Sequence, residues 1–105
     1  MSLYIVEYRY DEDLMNLVND FRPAHREFLR GLQDREILVA SGFLRDATFN
    51  GALIILHADS AAAARDILAG DPFNTNGLIH SIKTREWHPT LGAYADAFDT
   101  QFPAS

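Results

Sequence analysis

The strongest constraint on the fold is an alternation at the start of the chain. Leu3 to Tyr10 is rich in β-branched and aromatic residues and has no breaker, so it reads as a strand. Tyr4, Val6, Tyr8 and Tyr10 fall on one face, and Leu3, Ile5, Glu7 and Arg9 on the other, because strand side chains alternate with a period of two. The first face is apolar along its whole length. The second turns polar toward its end. Three later segments read the same way: Ile37 to Leu44, Gly51 to Ala58, and Leu78 to Trp87, the last closed by Pro89.

Between these strands lie two helical stretches. In the first, Leu14, Val18 and Phe21 recur at spacings of four and three, one face of a helix. Pro23 disfavours helical geometry in the residue before it, so the expectation is a short helix or structured loop from Asp13 to about Asn19. A main helix then follows with Pro23 in its first turn, where the missing N–H is harmless. His25, Phe28, Leu29 and Leu32 share its apolar face, and Arg26, Glu27, Arg30 and Gln33 lie mostly opposite. In the second stretch Asp59-Ser60 supplies an N-cap, Ala61 to Ala69 the helix, and Gly70 a left-handed C-terminal residue. Asp71-Pro72 reads as a turn and Asn74-Thr75-Asn76-Gly77 as a second breaker cluster.

The order β-α-β-β-α-β is that of a single α+β, ferredoxin-like domain with a four-stranded antiparallel sheet. Residues 45–50 connect the second and third strands as a hairpin loop. Residues 90–105 are read as a C-terminal extension, expected either to add a short helix around Gly92 to Phe98 or to pack as a tail against a partner. Two helices cover one face of such a sheet. The other face carries too much apolar surface for water, so a homodimer that closes it is expected.

Composition narrows the partners. Fifteen acidic residues against nine basic give a net charge of −6, which repels nucleic-acid phosphates and anionic membrane surfaces. The basic residues are scattered, with no stripe to follow a phosphate backbone. There is no cysteine, which excludes disulfides, thiolate metal sites and Cys nucleophiles. The N-terminal residues lack a basic region and an apolar stretch, so no signal peptide is read there, and a cytoplasmic protein is expected. His57, His80 and His88 show none of the short spacings of a metal site on one element. No phosphate loop or dinucleotide fingerprint is present, so the expected chemistry uses no cofactor and no metal.

Chemistry points to two positions. His25 stands on an inward-facing stripe, and histidine is the side chain suited to proton transfer near neutral pH. Asp71, between a glycine and a proline, sits at a rigid corner. Each also has a structural reading: a buried histidine with one satisfied hydrogen bond, and an aspartate that caps a turn. Arg22, just before His25, is placed either to anchor an anionic substrate or to pair with Asp20. Ser41 is a candidate hydrogen-bonding group for substrate, with no context that would make it a nucleophile. Phe43, Phe49, Phe73 and Trp87 either line an apolar pocket or belong to the core.

Arg22-x-x-His25, Ser41-Gly42 closing strand two, Gly51 opening strand three, and Asp71-Pro72-Phe73 followed by Gly77 resemble the YCII-related family. The resemblance runs over nearly the whole chain, from Tyr4 to about Pro89. It implies a ferredoxin-like, dimeric α+β fold of the muconolactone isomerase type. It also implies an active site built on a His–Asp dyad, which carries over to His25 and Asp71. Chemistry in the family includes elimination of chloride from a hydroxylated aromatic ring. Many relatives have Gly-Pro where this chain has Gly42-Phe43, a departure that bears on the pocket wall.

The combined expectation is a small enzyme performing acid–base isomerisation or elimination on a small cyclic or aromatic molecule. His25 and Asp71 are its catalytic residues, and Arg22, Ser41, Phe43 and Phe73 bind the substrate. Two alternatives use the same fold: a non-catalytic dimeric ligand-binding or interaction domain, and a cofactor-free oxygenase.

Overall fold

The first strand, β1 (Ser2–Tyr10), becomes the inner strand on which the molecule is built. The computed structural model describes residues 2–92. β1 pairs antiparallel with β3 (Asn50–Ala58) on one side and with β4 (Ile79–Trp87) on the other. β2 (Leu38–Arg45) adds to the far side of β3, so the sheet order is β2-β3-β1-β4. This is the expected ferredoxin-like α+β arrangement, with strand limits within about a residue or two of those read from the sequence.

The alternation of β1 sets the layers. Tyr4, Val6, Tyr8 and Tyr10 are all buried, and so are Ala52, Ile54, Leu56 and Ala58 on the same face of β3. That face is covered by α1 (Met15–Asp34) and α2 (Ala61–Leu68), whose Val18, Leu29, Leu32, Ala64 and Leu68 complete the core. The opposite face carries Ile5, Leu53 and Ile55, which remain half-buried. Close approach is tightest at Gly51, opposite Arg9 on β1: a Cβ there would lie 1.9 Å from the Tyr8 carbonyl oxygen. Only glycine lets β3 pass so near.

Three local expectations need correction. Pro23 does not start a second helix. A 3-10 turn (Glu12–Leu14) leads into one continuous α1 with Pro23 inside it. Val18, His25, Leu29 and Leu32 lie on a single buried stripe that crosses the proline, and packing of that stripe outweighs the lost backbone bond. His25 therefore stands well inside the helix and not in its first turn. Second, Gly70 is not left-handed; the positive-φ glycines are Gly77 and Gly92. Its small size serves proximity instead, since a Cβ there would meet the Phe28 ring at 3.3 Å. Third, the breaker cluster contains a helix. α3 (Pro72–Thr75) has Asp71 as N-cap and Pro72 in its first turn, and it ends before Gly77 at φ +67°. Ser60 caps α2 as expected, accepting from the Ala63 N–H at 3.0 Å. The helix expected around Gly92 to Phe98 lies outside the described residues.

Candidate functional site: a buried His–Asp pair beside a cationic cleft

Asp71 is held by the backbone that follows it. As N-cap of α3, its Oδ1 accepts a hydrogen bond from the Phe73 N–H at 3.0 Å. The residue is completely buried. A buried carboxylate needs further donors, and α1 supplies one. His25 Nδ1 lies 2.8 Å from Oδ2 and 3.0 Å from Oδ1 of Asp71. β1 supplies the other: the Tyr8 hydroxyl donates to Oδ2 at 2.9 Å. Three elements thus converge on one carboxyl group.

Tyr8 is itself held. Asn74 Nδ2 donates to the Tyr8 oxygen at 3.1 Å and to the Leu68 carbonyl at 2.8 Å. Burial first, and then the neighbouring Asp71 carboxylate, push the Tyr8 phenol far above its usual range. It therefore keeps its proton and remains a donor throughout neutral pH. The sequence reading missed Tyr8 and Asn74. A usable signal was present: a tyrosine on a fully apolar strand face carries a hydroxyl that must find a partner.

His25 is also clamped by packing. Its ring stacks on Phe73, with centroids 4.1 Å apart and planes 9° from parallel, and Tyr10 meets Phe73 edge-on at 5.3 Å. Phe73 is fully buried, so it supports the imidazole from behind and does not line the cleft. With Nδ1 committed to Asp71, the remaining ring nitrogen, Nε2, has no hydrogen-bond partner among the described residues.

The cleft beside His25 has a volume of about 160 Å³ and is walled by Tyr10, Arg22, Ser41, Gly42 and Phe43. Ser41 and Gly42 lie in the middle of β2, which runs on to Arg45, and not at its end as the sequence suggested. Phe43 is half exposed at the rim, with the Arg22 guanidinium 5.4 Å from its ring centre. Arg22 does not pair with Asp20. Its Nη1 donates to Asn19 Oδ1 at 2.6 Å, leaving its charge uncompensated by an acid among the described residues. Arg26 adds a second cation to the wall, and none of the described residues that line it is acidic. Burial lifts the Tyr10 phenol above its usual range, and Arg22 beside it pulls it partly back. The result is a positive cleft in a chain of net charge −6.

A larger cleft of about 410 Å³ lies against Arg9, Arg45 and Phe49 and is lined by neither His25 nor Asp71. Phe49 lies beneath the Arg9 guanidinium there, and Trp87 is on β4, so neither walls the cleft beside His25. Among the described residues no group of three or more His, Asp or Glu side chains is placed to hold a metal ion. No described helix is long and apolar enough to cross a membrane.

Comparison with known proteins agrees with the fold. The sequence model described as "YCII-related domain" matches residues 1–88. Among solved structures, the chain is similar to 5-chloro-2-hydroxyhydroquinone dehydrochlorinase from Burkholderia phenoliruptrix, determined in complex with 2,5-dihydroxybenzoquinone. The TM-score is 0.71 at 20% sequence identity, over 81% of this chain and 92% of that one. A search of the curated proteins returns no match.

Proposed function

The chain belongs to the YCII-related domain family, and from that premise we propose that it is a small enzyme using His25 and Asp71 for acid–base chemistry. The observation that carries the reading is the division of labour on one imidazole. Nδ1 is held by a buried carboxylate at 2.8 Å, and Nε2, beside a cleft, has no hydrogen-bond partner among the described residues. An oriented imidazole with one free nitrogen can both take and return a proton.

The reaction class is elimination or isomerisation on a small cyclic or aromatic molecule. His25 Nε2 takes a proton from a saturated carbon beside a carbonyl or, on the keto tautomer of a hydroxylated ring, from a ring hydroxyl, and the freed electron pair forms a new double bond. In elimination the leaving group departs with its own bonding pair. In isomerisation His25 returns the proton at a different carbon. Neither route needs a cofactor. Asp71 orients the ring and stabilises its protonated form. Arg22 and Ser41 position the substrate, with Phe43 at the rim and Phe73 behind the imidazole. The dehydrochlorinase named above, whose structure holds a dihydroxybenzoquinone, supports hydroxylated rings as the first class to try.

The test is turnover of chlorinated hydroquinones and small lactones by the wild-type protein and by His25→Ala. The expected result is chloride release or a changed ultraviolet spectrum with wild type, falling about 10²–10⁴-fold in the variant. Equal turnover by the two proteins would remove His25 from the chemistry, and tight binding of these compounds with no turnover would instead favour a ligand-binding domain.

The sheet face opposite the helices, which no described element covers, supports a homodimer. Ile5, Leu53 and Ile55 form its apolar centre, and a second copy of the chain would complete their burial. Sedimentation velocity at micromolar concentration should give twice the chain mass. A monomer at every concentration would rule the dimer out.

A further inference from the structure

The proton position on His25 is set by a chain of hydrogen bonds that begins at a backbone carbonyl four links away. The Leu68 carbonyl, at the end of α2, can only accept. The Asn74 side-chain group 2.8 Å from it must therefore be the amide nitrogen, because an oxygen there would face another oxygen. The second hydrogen of that same nitrogen points to the Tyr8 oxygen at 3.1 Å. Tyr8 is thus obliged to accept from Asn74, and its single proton goes to Asp71 Oδ2 at 2.9 Å. Asp71 Oδ1 is already an acceptor for the Phe73 N–H at 3.0 Å. Donors on both oxygens favour the carboxylate, which has no proton to give, so His25 Nδ1 is the donor across the 2.8 Å contact.

We propose that Tyr8 and Asn74 are positioning residues that fix the neutral His25 ring as its Nδ1–H tautomer and keep the Nε2 lone pair open to the cleft. Neither residue lines the cleft on the His25 side. Each acts through the next: Asn74 orients the Tyr8 hydroxyl, Tyr8 occupies Oδ2, and Asp71 dictates the tautomer. The inference rests on the acid–base reading of the site for its catalytic importance, but the tautomer itself can be read without any substrate.

The experiment uses the full-length protein labelled with ¹⁵N at histidine, with two-bond ¹H–¹⁵N spectra recorded where the His25 ring is neutral. Wild type should show Nδ1 as the protonated nitrogen and Nε2 as the bare one. Tyr8→Phe keeps the buried ring and removes only the hydroxyl. Asn74→Asp replaces the donor to Tyr8 with an acceptor and so draws the Tyr8 proton away from Asp71. In both variants the His25 nitrogens should move toward the averaged shifts of two exchanging tautomers, while circular dichroism shows the fold retained. A wild-type protein with Nε2 protonated would overturn the proposal, and so would folded variants whose tautomer is unchanged. Turnover separates the two readings. A shifted tautomer accompanied by a lower kcat at unchanged KM supports both. A shifted tautomer in a protein with no activity toward any substrate supports the positioning role and removes the catalytic one.

Discussion

His25 lies flat against Phe73, 4.1 Å between ring centres and 9° from parallel, while the edge of the same imidazole meets Asp71. Stack and hydrogen bond fix different degrees of freedom: the first sets the plane of the ring, the second its rotation within that plane. Phe73 and Asp71 are two residues apart on the start of α3, so one short helix supplies both restraints.

Removing the stack should therefore cost both stability and alignment. Phe73 is fully buried, and Phe73→Ala is expected to lose about 3–5 kcal/mol of stability by chemical denaturation. Phe73→Leu should retain most of the fold and still lower kcat, because an aliphatic side chain fills the space without presenting a flat face to the imidazole.

Asp71→Asn tests the carboxylate at constant shape. The new amide has one acceptor for the three groups that now donate to Asp71: Phe73 N–H, Tyr8 O–H and His25 Nδ1. A buried donor left without a partner costs about 1–3 kcal/mol, readable as a lower denaturation midpoint. Activity should fall at least as far as stability predicts, and imidazole added to the buffer should not restore it.

Arg22 provides a test of binding apart from chemistry. Its charge faces the cleft without an acidic partner among the described residues. Arg22→Ala should raise KM for substrates bearing an ionised oxygen and leave kcat within a few fold. Neutral analogues should lose little. Steady-state kinetics on a matched anionic and neutral pair reads this difference directly.

Stability should be bounded on both sides by identifiable groups. The backbone N–H groups of Phe49 and Thr48 hold the Asp46 carboxyl below its usual range, and hydrogen bonds from His88 and Tyr4 do the same for Glu86. A depressed carboxyl stabilises the fold at pH values above its unfolded pKa, and that contribution disappears as pH falls through the folded value. Burial raises Tyr8 and Tyr10, so their contribution is complete below the ordinary tyrosine value of 10.0 and is lost as pH climbs beyond it. Urea midpoints should accordingly fall below about pH 4 and above about pH 10. Asp46→Ala should flatten the acid limb and leave the alkaline limb unchanged.

Gly51→Ala tests the close crossing of β3 over β1. A methyl 1.9 Å from the Tyr8 carbonyl oxygen forces a backbone shift on the residue that holds Asp71. The expected loss is about 1–3 kcal/mol or more, with the His25 resonances displaced even under conditions where the variant stays folded.

The sheet was legible because β1 and β3 obey strict alternation, and four strands with two helices leave few topologies. Residue types and local phase marked His25 and Asp71, but not their contact, which joins positions 46 apart through tertiary packing. Pro23 was misread because a local breaker rule competes with a buried stripe extending from Val18 to Leu32, and the stripe prevails. α3 was hidden inside a run of turn-forming residues, since Asp71 and Pro72 suit a tight turn and a helix start equally well. Tyr8 looked like core because it is core; its hydroxyl gains a role only when Asp71 and Asn74 arrive beside it.

Pro23 also leaves one gap in the backbone ladder of the continuous α1. Having no N–H, it leaves the Asn19 carbonyl without its usual rung in the ladder, between the turn that carries Arg22 and the turn that carries His25. The Arg22 side chain bonds the Asn19 side chain within the turn that precedes the missing rung. A ligand that draws the Arg22 guanidinium toward itself exchanges that one side-chain bond for its own contact, one helix turn from His25 and without disturbing the backbone ladder that carries the imidazole.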